Sequence, residues 1–420
     1  MTGRPVSPGS PGGRPPRGGW AGRLALLGPA AVAAVAYVDP GNVATNITAG
    51  ARYGYLLVWV VVAASVVAVL VQYLSARLGV VTGRSLPAVV GSRAGRPARL
   101  AYWAQAELVV MATDLAEVVG GAIALQLLFD LPLLVGGLVT AGVSLVVLAV
   151  RDRRGQRAFE RITITFLAVI AVGFLTGLVL DPPAASDVAA GLVPRFDGAD
   201  SVLVAAGVLG ATVMPHAIYL HSALMPDRHG HRPPGAARRE LISALRLDIA
   251  VAMTLAAVVN TGLLVLAATA LAGRAGTDTI AGAHAAVREA LGGGVATAFA
   301  VGLLASGLAS SSVGSYAGAV VMEGLLRRRV PLLARRLVTA VPAVLVLASG
   351  VEPTTALLLS QVVLSFGIPF ALVPLVRATA SRAVMGDDVV ARGTTAVAWA
   401  VAAAVVALNL VLAVLTATGA

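Results

Sequence analysis

Residues 33–50 read AAVAYVDPGNVATNITAG, an apolar run with a polar interruption. It is apolar enough to enter a membrane, yet Asp39, Pro40, Gly41 and Asn42 interrupt it near the middle. Proline removes a backbone hydrogen bond and clashes with the preceding helical turn, and glycine loosens a helix further. The stretch therefore predicts a helix that is broken at Asp39.

The whole chain has the composition of a membrane protein. Of its 420 residues, 58% are hydrophobic and 12% are charged, whereas about a quarter of the residues of a soluble protein are charged. Apolar runs of about 20 residues, the length that spans a bilayer, recur throughout. We predict an all-α membrane protein with about eleven transmembrane helices, at residues 24–50, 55–78, 102–127, 131–150, 161–180, 200–225, 244–272, 294–324, 335–350, 354–376 and 394–418.

The charged loops predict how the chain crosses the membrane. Arginines fill the loops after the second, fourth, sixth, eighth and tenth predicted spans, while the intervening loops carry few arginines. By the positive-inside rule the N-terminus is cytoplasmic and the C-terminus extracellular, and we expect a bacterial plasma membrane. This placement explains the net charge of +11 without nucleic acid as a partner. Residues 1–19, rich in Pro, Gly and Arg, are expected to be a disordered cytoplasmic tail.

A second broken helix suggests an internal repeat. Residues 202–220, VLVAAGVLGATVMPHAIYL, are interrupted at Met214-Pro215-His216 in the sixth predicted span. Breaks in the first and sixth spans fit a five-plus-five repeat: residues 20–180, then 200–376, with 394–418 as an additional helix. Because five is odd, the second repeat is inverted. Paired breaks of this kind indicate a binding site at the middle of the membrane, although two ordinary proline kinks would give the same pattern.

The breaks carry the donors of a cation site. Asp39 offers a carboxylate, Asn42 an amide oxygen and Met214 a thioether, and broken helices free backbone carbonyls such as those of Ala36 and Ala211. Oxygen donors alone suit Ca²⁺ or Mg²⁺, and a thioether shifts the preference toward Mn²⁺, Fe²⁺ and Co²⁺. Each residue also has a structural explanation: Asp39 as the N-cap of a helix and Met214 as core packing.

The same motifs resemble those of a known family. Asp39-Pro40-Gly41-Asn42, Met214-Pro215-His216 and the stretch of residues 111–117, MATDLAE, are similar to signatures of the Nramp (natural resistance-associated macrophage protein) divalent metal transporters. The resemblance runs from about residue 20 to the eleventh span. It implies a leucine-transporter-like fold, symport of metal with protons, and two further metal-site residues, Gln361 and Thr212.

The third predicted span carries a stripe of acids. Glu107, Asp114 and Glu117 lie on one helix face, and unpaired acids at mid-membrane cost about 2.5–3.5 kcal/mol each on the insertion scale. They must therefore face a polar path or basic partners, for which Arg335 and Arg336 are the candidates. The resemblance implies that these residues, with Asp39, form a proton pathway. The alternative is an ion-pair network that only holds helices together.

His216 follows the second break and allows two interpretations. With an ordinary pKa near 6.5 it could titrate as protons enter. It could equally stay neutral as a gate residue. We assign it to the proton pathway and not to the metal ligands.

Two other functions compete with metal import. A sodium-coupled amino-acid or amine symporter could share the fold, but Asp39 would repel a substrate carboxylate and such a function leaves Met214 unexplained. An intramembrane hydrolase would need a catalytic motif, but this sequence contains no H-E-x-x-H, no G-x-S-x-G and no cysteine. We therefore expect that the protein is not an enzyme. We also expect no cofactor and no obligate protein partner, with divalent metal ions, protons and the bilayer as the interacting species.

Overall fold

The computed structural model describes residues 28–328 and 332–418, and this part of the chain is helical with no strand. The first half contains α1 (Pro29–Ala36), α2 (Pro40–Tyr53), α3 (Val58–Thr82), α4 (Leu86–Arg93), α5 (Arg96–Phe129), α6 (Leu133–Arg154), α7 (Gln156–Leu180) and α8 (Ala185–Ala190). The second contains α9 (Gly198–Thr212), α10 (Pro215–His229), α11 (Ala236–Ala270), α12 (Ile280–Leu291), α13 (Gly293–Val321), α14 (Leu332–Ser349), α15 (Pro353–Thr379), α16 (Arg382–Met385) and α17 (Arg392–Thr418).

The predicted spans correspond to these helices. Each of the eleven windows overlaps a helix, and the first and sixth windows overlap two each, α1 with α2 and α9 with α10. Within the described residues, nine helical stretches are long and apolar enough to cross a membrane. The predicted tail at 1–19, and residues 24–27 of the first window, lie outside the described part.

Several helices begin earlier than predicted. The helix of the third span starts at Arg96 rather than at residue 102, and that of the seventh at Ala236 rather than at 244. Hydropathy windows stop where arginines begin, but arginine is a good helix former, so the helices continue beyond the apolar segment. The short helices α4, α8, α12 and α16 were not predicted, because they are too short and polar for a membrane window.

The broken helices lie at the centre of the bundle. Every residue from Pro40 to Ala51 and from Pro215 to Met225 is buried. In α17, by contrast, only 28% of the most apolar window is buried, so this helix has a broad face directed at lipid. Helix α2 packs on α9 and α11, and α10 packs on α3 and α13. The two breaks are therefore enclosed by protein on all these sides, where irregular backbone is tolerated in a membrane.

Candidate functional site

The first break follows from the sequence around Asp39. Helix α1 ends at Ala36, and α2 starts at Pro40, a residue suited to the first position of a helix. Asp39 is the N-cap of α2, and its Oδ1 accepts a hydrogen bond from the backbone N–H of Asn42 at 2.8 Å. The structural explanation of Asp39 as a cap is correct. Its other oxygen, Oδ2, is buried without a hydrogen-bond partner in the described part of the chain.

The second break has the same construction with different chemistry. Helix α9 ends at Thr212, α10 starts at Pro215, and Met214 is the N-cap residue, with no side-chain capping bond. The Met214 side chain is fully buried. The Thr212 hydroxyl donates back to the Val208 carbonyl at 2.7 Å within α9.

Each break frees one carbonyl by covalent chemistry. In a continuous helix, the carbonyls of Ala36 and Ala211 would accept from the N–H four residues later. Those residues are Pro40 and Pro215, which have no N–H. Both carbonyls also lie at the C-terminal ends of half-helices, where the helix dipole is negative and favours a cation.

Asn42 connects the two breaks. Its Nδ2 donates to Asp39 Oδ1 at 2.8 Å and to the Ala211 carbonyl at 2.7 Å. Its Oδ1 lies 3.5 Å from the Thr212 hydroxyl. Since one nitrogen reaches two predicted ligand oxygens, a single cation can bridge the same pair once the Asn42 amide turns its oxygen inward.

Gln361 of α15 also lies at the breaks. A Cβ added to Gly41 would be 1.9 Å from Gln361 Nε2, and one added to Gly210 would be 2.6 Å from the Gln361 carbonyl. Its side-chain Oε1 is buried without a partner among the described residues. The structure thus brings Asp39, Asn42, Ala211, Thr212 and Gln361 together. Ala36 and Met214 adjoin them along the chain.

The acid stripe of α5 pairs with arginines of α14. Arg336 Nη1 lies 2.8 Å from Asp114 Oδ1, and Arg335 Nη2 lies 3.1 Å from Glu107 Oε1. Arg335 also donates from Nη1 to Glu107 Oε2 at 3.2 Å, whereas the Asp114 contact lacks hydrogen-bond geometry. The predicted basic partners are therefore in place. These pairs hold α5 and α14 together whatever their role in proton movement.

Glu117 is the acid without such a pair. It is fully buried, and neither carboxylate oxygen has a hydrogen bond within the described residues. A Cβ on Gly314 of α13 would be 2.9 Å from both oxygens, and one on Gly318 would be 1.8 Å from Arg335 Nη2. The G-x-x-x-G pair reads in sequence as a helix-packing motif. In the structure it also makes room for a carboxylate and a guanidinium.

The stripe and the breaks are neighbours joined by packing. A Cβ on Gly120 of α5 would be 2.1 Å from Pro40 Cβ, so α5 runs directly against the first break. On the other break, His216 Nδ1 lies 3.2 Å from the Thr113 hydroxyl, while its Nε2 is buried without a partner in the described part. Thr113 precedes Asp114 in the stripe. Both breaks therefore contact α5 within one or two turns of Glu117.

The sequence singled out Asn260 as a residue that lines the path or only packs, but it did not predict which side chains bond the remaining carbonyls of the first break. Asn260 of α11 donates to the Tyr37 carbonyl at 2.6 Å, and Ser306 of α13 donates to the Val38 carbonyl at 2.6 Å. Gln72 donates to the Tyr37 hydroxyl at 2.6 Å and lies 2.7 Å from His221. In the sequence, the amide and histidine residues of this group are marked only as isolated polar residues inside apolar spans.

A second missed group lies at the start of α1. Asp248 of α11 accepts from the backbone N–H groups of Gly28 and Ala30 at 3.1 and 3.0 Å, and so caps α1 from another helix. Beside it, Arg228 and Glu160 form a buried ion pair at 3.2 Å. An aspartate within the predicted seventh span was the signal for this cap. The effect is to fasten the N-terminal end of α1 to its neighbours.

The chemistry of the site is that of a small cation. Within the described residues no group of three or more His, Cys, Asp or Glu side chains could hold a metal. The donors at the breaks are instead one carboxylate, amides, a hydroxyl, carbonyls and a thioether. A site with one carboxylate keeps a divalent ion weakly bound, which suits passage rather than permanent retention.

Comparison with known proteins identifies the family. The sequence model described as natural resistance-associated macrophage protein-like (Nramp) matches residues 30–415. The chain belongs to the Nramp family. The divalent metal cation transporter MntH of Mycobacterium tuberculosis is 60% identical over 394 residues, covering 94% of this chain and 92% of the relative. MntH of Bacillus subtilis is 45% identical over 397 residues, covering 94% and 93%.

Solved structures agree with this assignment. The crystal structure of a variant of the Eremococcus coleocola manganese transporter matches with a TM-score of 0.85 and 33% identity, covering 94% of this chain and 88% of that one. Mhp1, a nucleobase-cation symporter, matches with a TM-score of 0.58 at 17% identity, covering 92% of this chain and 89% of that one, which shows a shared fold only. The predicted inverted-repeat fold is confirmed. These relatives are transporters by name, so the chain is a transporter and not the hydrolase considered above.

Proposed function

We propose that this Nramp protein imports divalent transition metal ions, with Mn²⁺ foremost and Fe²⁺, Co²⁺ and Cd²⁺ as further substrates, together with protons by alternating access. The observation that carries the proposal is the junction of the two breaks at Asn42. Its amide group bridges the Asp39 carboxylate and the Ala211 carbonyl, each within 2.8 Å. The names of the relatives as divalent metal and manganese transporters support the same substrate class.

The proposed substrate site uses the donors of both breaks. Asp39, Asn42 and the Ala36 carbonyl would bind the ion from one side, and Met214 and the Ala211 carbonyl from the other. Gln361 and Thr212 would contribute in part of the cycle. The unpartnered oxygens of Asp39 and Gln361 support this assignment, because buried polar atoms without a partner require an explanation such as a bound ion or water.

Transport requires the site to open to one face at a time. In this structure Asp39, Asn42, Thr212 and Met214 are at most 1% exposed. We infer that opening toward the cytoplasm moves α1, a short half-helix whose first residues are fastened to Asp248. Release of that cap, with separation of Arg228 from Glu160, would free α1 from α7, α10 and α11 as one bundle rocks against the other.

The proton would leave the site along α5. A divalent ion needs Asp39 ionised, so its binding displaces a proton from that carboxylate. Glu117 is the nearest acid of the stripe to the first break, and it lies one turn before Gly120, which packs on Pro40. From Glu117 the proton would pass to Asp114 and the neighbourhood of Arg336, then to Glu107 and Arg335. His216, held by Thr113, borders this route.

The amino-acid symporter has less support. Its substrate carboxylate would meet Asp39, whose Oδ2 has no donor to neutralise it among the described residues. A shared fold does not favour it, because at 17% identity the match to the nucleobase-cation symporter Mhp1 carries no information about substrate. We further propose that the chain lies in the cell membrane with its N-terminus in the cytoplasm and its C-terminus outside, because the arginine-rich loops alternate as the positive-inside rule requires.

The test is uptake of Mn²⁺ into proteoliposomes that contain a pH-sensitive dye, with an inward proton gradient and excess external Ca²⁺. Wild-type protein should take up Mn²⁺ and acidify the lumen together. Asp39→Ala should abolish both fluxes, since it removes the proposed carboxylate ligand. Glu117→Gln should keep Mn²⁺ binding while the accompanying acidification falls.

The outcomes separate the parts of the proposal. Folded wild-type protein that takes up no Mn²⁺ contradicts the substrate assignment. Uptake that Ca²⁺ abolishes contradicts the selectivity argued from Met214. Unchanged acidification in Glu117→Gln contradicts the proton route and leaves the metal site standing.

A further inference from the structure

An apolar groove on the outside of the bundle carries two arginines at one end. It lies between α3, α11 and α17 and has a volume of about 660 Å³. Its apolar wall includes Val66 and Leu70 of α3 and Val397 and Val401 of α17. Val66 and Val397 are 65% and 55% exposed, so the groove opens toward the surroundings of the protein rather than toward its core.

The two arginines meet at Tyr73. Arg77 donates from Nη1 to the Tyr73 hydroxyl at 2.6 Å, and Arg246 donates from Nη2 to the same hydroxyl at 3.3 Å. Both guanidinium groups also lie over the Tyr73 ring, 5.8 and 5.6 Å from its centroid. Two positive charges are thus held side by side on a neutral side chain.

In the described part of the chain, no carboxylate pairs with either arginine. Within the described residues neither Arg77 nor Arg246 forms an ion pair. Arg77 otherwise contacts only the backbone carbonyls of Asp388 and Val389, and the Asp388 carboxylate pairs with Arg238 at 2.6 Å. Asp248, two residues after Arg246, is engaged by the start of α1. The two guanidinium groups therefore keep unused donors and uncompensated charge.

The length of the groove matches one leaflet of a membrane. Eleven residues separate Val66 from Arg77 on α3, which is about 16 Å of helix. Half of the hydrocarbon core of a bilayer is about 15 Å. An acyl chain lying along Val66 and Leu70 would therefore bring its headgroup to Arg77 and Arg246.

We propose that this groove is a binding site for an anionic phospholipid. The acyl chain lies between α3 and α17, and the phosphate, whose negative charge no cationic headgroup offsets, binds the two arginines. Basic pockets between transmembrane helices bind such headgroups by the same chemistry. A second groove, between α3, α7 and α11, adjoins the first at Val66 and Val69; its lining is mostly apolar, with three hydroxyl residues, and includes no arginine. It provides the internal contrast, since it should accept acyl chains without a preference for headgroup charge.

The experiment is native mass spectrometry of the delipidated protein with equal amounts of phosphatidylglycerol and phosphatidylcholine. Wild-type protein should retain phosphatidylglycerol preferentially. Arg246→Gln should lower that preference about fivefold, the loss expected for one basic residue near a membrane surface. Arg246→Lys keeps the charge and should restore most of it.

Two further variants keep the proposal testable. Arg96→Gln removes the same charge from the exposed start of α5, away from the groove, and should leave the preference unchanged. Thr394→Trp fills the groove and should reduce retention at this site for both lipids. Equal retention of the two lipids by wild-type protein, an Arg96→Gln effect as large as that of Arg246→Gln, or a second copy of the chain in place of lipid would overturn the proposal.

Discussion

Asp39 and Met214 occupy equivalent places in the two broken helices but differ in chemistry and in surroundings. Each is the N-cap residue of the second half-helix, each precedes a proline, and each follows a freed alanine carbonyl by three residues. Asp39 accepts two hydrogen bonds from Asn42, whereas the residue three positions after Met214 is Ala217. The first break is built around a charge and the second around a neutral, soft atom.

In the proposed function, this difference gives the two breaks different tasks. The carboxylate supplies most of the attraction for a divalent ion and responds to protonation. The thioether adds little attraction for hard ions, and so it distinguishes Mn²⁺ or Fe²⁺ from Ca²⁺. Substitutions in the first break should therefore change affinity and those in the second should change selectivity.

The largest effect is expected for Asp39→Asn. Asparagine caps a helix as well as aspartate does, so the fold should remain while the charge is lost. Mn²⁺ affinity, measured by titration calorimetry in detergent, should fall by at least on the order of 100-fold, since even residues that only support ligands contribute 10–100-fold. If Asp39→Asn binds Mn²⁺ within twofold of wild type, Asp39 is a cap and nothing more.

Met214→Leu should change selectivity rather than affinity. Leucine replaces methionine with nearly the same volume, which usually costs less than about 1.5 kcal/mol of stability, and it removes the sulfur. The preference for Mn²⁺ over Ca²⁺ in competition uptake should fall on the order of tenfold, or about 1.4 kcal/mol. An unchanged preference would leave Met214 as a packing residue.

Gly41→Ala changes a position that holds a small residue in the first break and a large one in the second. The added Cβ would overlap Gln361 Nε2, whereas the equivalent position in the second break holds His216. We expect a several-fold loss of Mn²⁺ affinity, because overpacking a tight site costs roughly 1–3 kcal/mol, shared between binding and stability.

A double substitution decides how Gly41→Ala acts. If the methyl group acts by displacing Gln361, it should cause no further loss of affinity in a Gln361→Ala background, because coupled residues are not additive. Gly142→Ala in α6 is the matched control, since its Cβ would meet no atom within 4 Å. Equal losses in the Gly41 and Gly142 variants would point to the helix and not to the site.

The smallest effect is expected at Glu352, an acid that caps a helix without a metal site. It is the N-cap of α15, again before a proline, and it accepts hydrogen bonds from the N–H groups of Thr354 and Thr355 at 2.9 and 2.6 Å. Glu352→Ala should leave Mn²⁺ binding unchanged and lower the thermal unfolding midpoint by about 1 °C, since a cap is worth about 1 kcal/mol and this chain is large.

Lowering the pH should reduce thermal stability in the same way as Glu352→Ala. Partial burial raises the pKa of Glu352, but the hydrogen bonds from Thr354 and Thr355 outweigh it and leave the pKa below its usual range. A lowered pKa gives stability that is present above the ordinary value of about 4.3 and is lost as pH falls below it. The difference in unfolding midpoint between wild type and Glu352→Ala should therefore shrink below about pH 4. A difference that persists there would contradict the capping role.

The fold was predictable because its signals are local. Pro40 and Pro215 interrupt two apolar runs, and the alternation of arginine-rich loops agrees with the predicted number of spans. The residues proposed as metal ligands were identified from the same two motifs, and Gln361 and Thr212 from the family resemblance; the structure brings Asp39, Asn42, Ala211, Thr212 and Gln361 together. What the structure adds comes from tertiary contacts that no short motif encodes: Asp248 on the start of α1, Asn260 and Ser306 on the carbonyls of the first break.

Gly314 is another residue whose surroundings a short motif does not predict. Its spacing from Gly318 predicts close helix packing, and any glycine pair of that spacing would do so. Only the fold shows that the space is taken by the carboxylate of Glu117.

The prolines after Asp39 and Met214 make part of the site invisible to ordinary mutagenesis. A backbone carbonyl cannot be removed by changing the side chain of Ala36 or Ala211. Whether that carbonyl is free to bind an ion depends on the residue four positions later, which is a proline in both breaks. Pro40→Ala or Pro215→Ala would supply the missing N–H and let the helix compete with the ion for the same oxygen. In the proposed site, the strength of a carbonyl ligand therefore depends on a residue that does not contact the ion, and a search restricted to contact residues would overlook it.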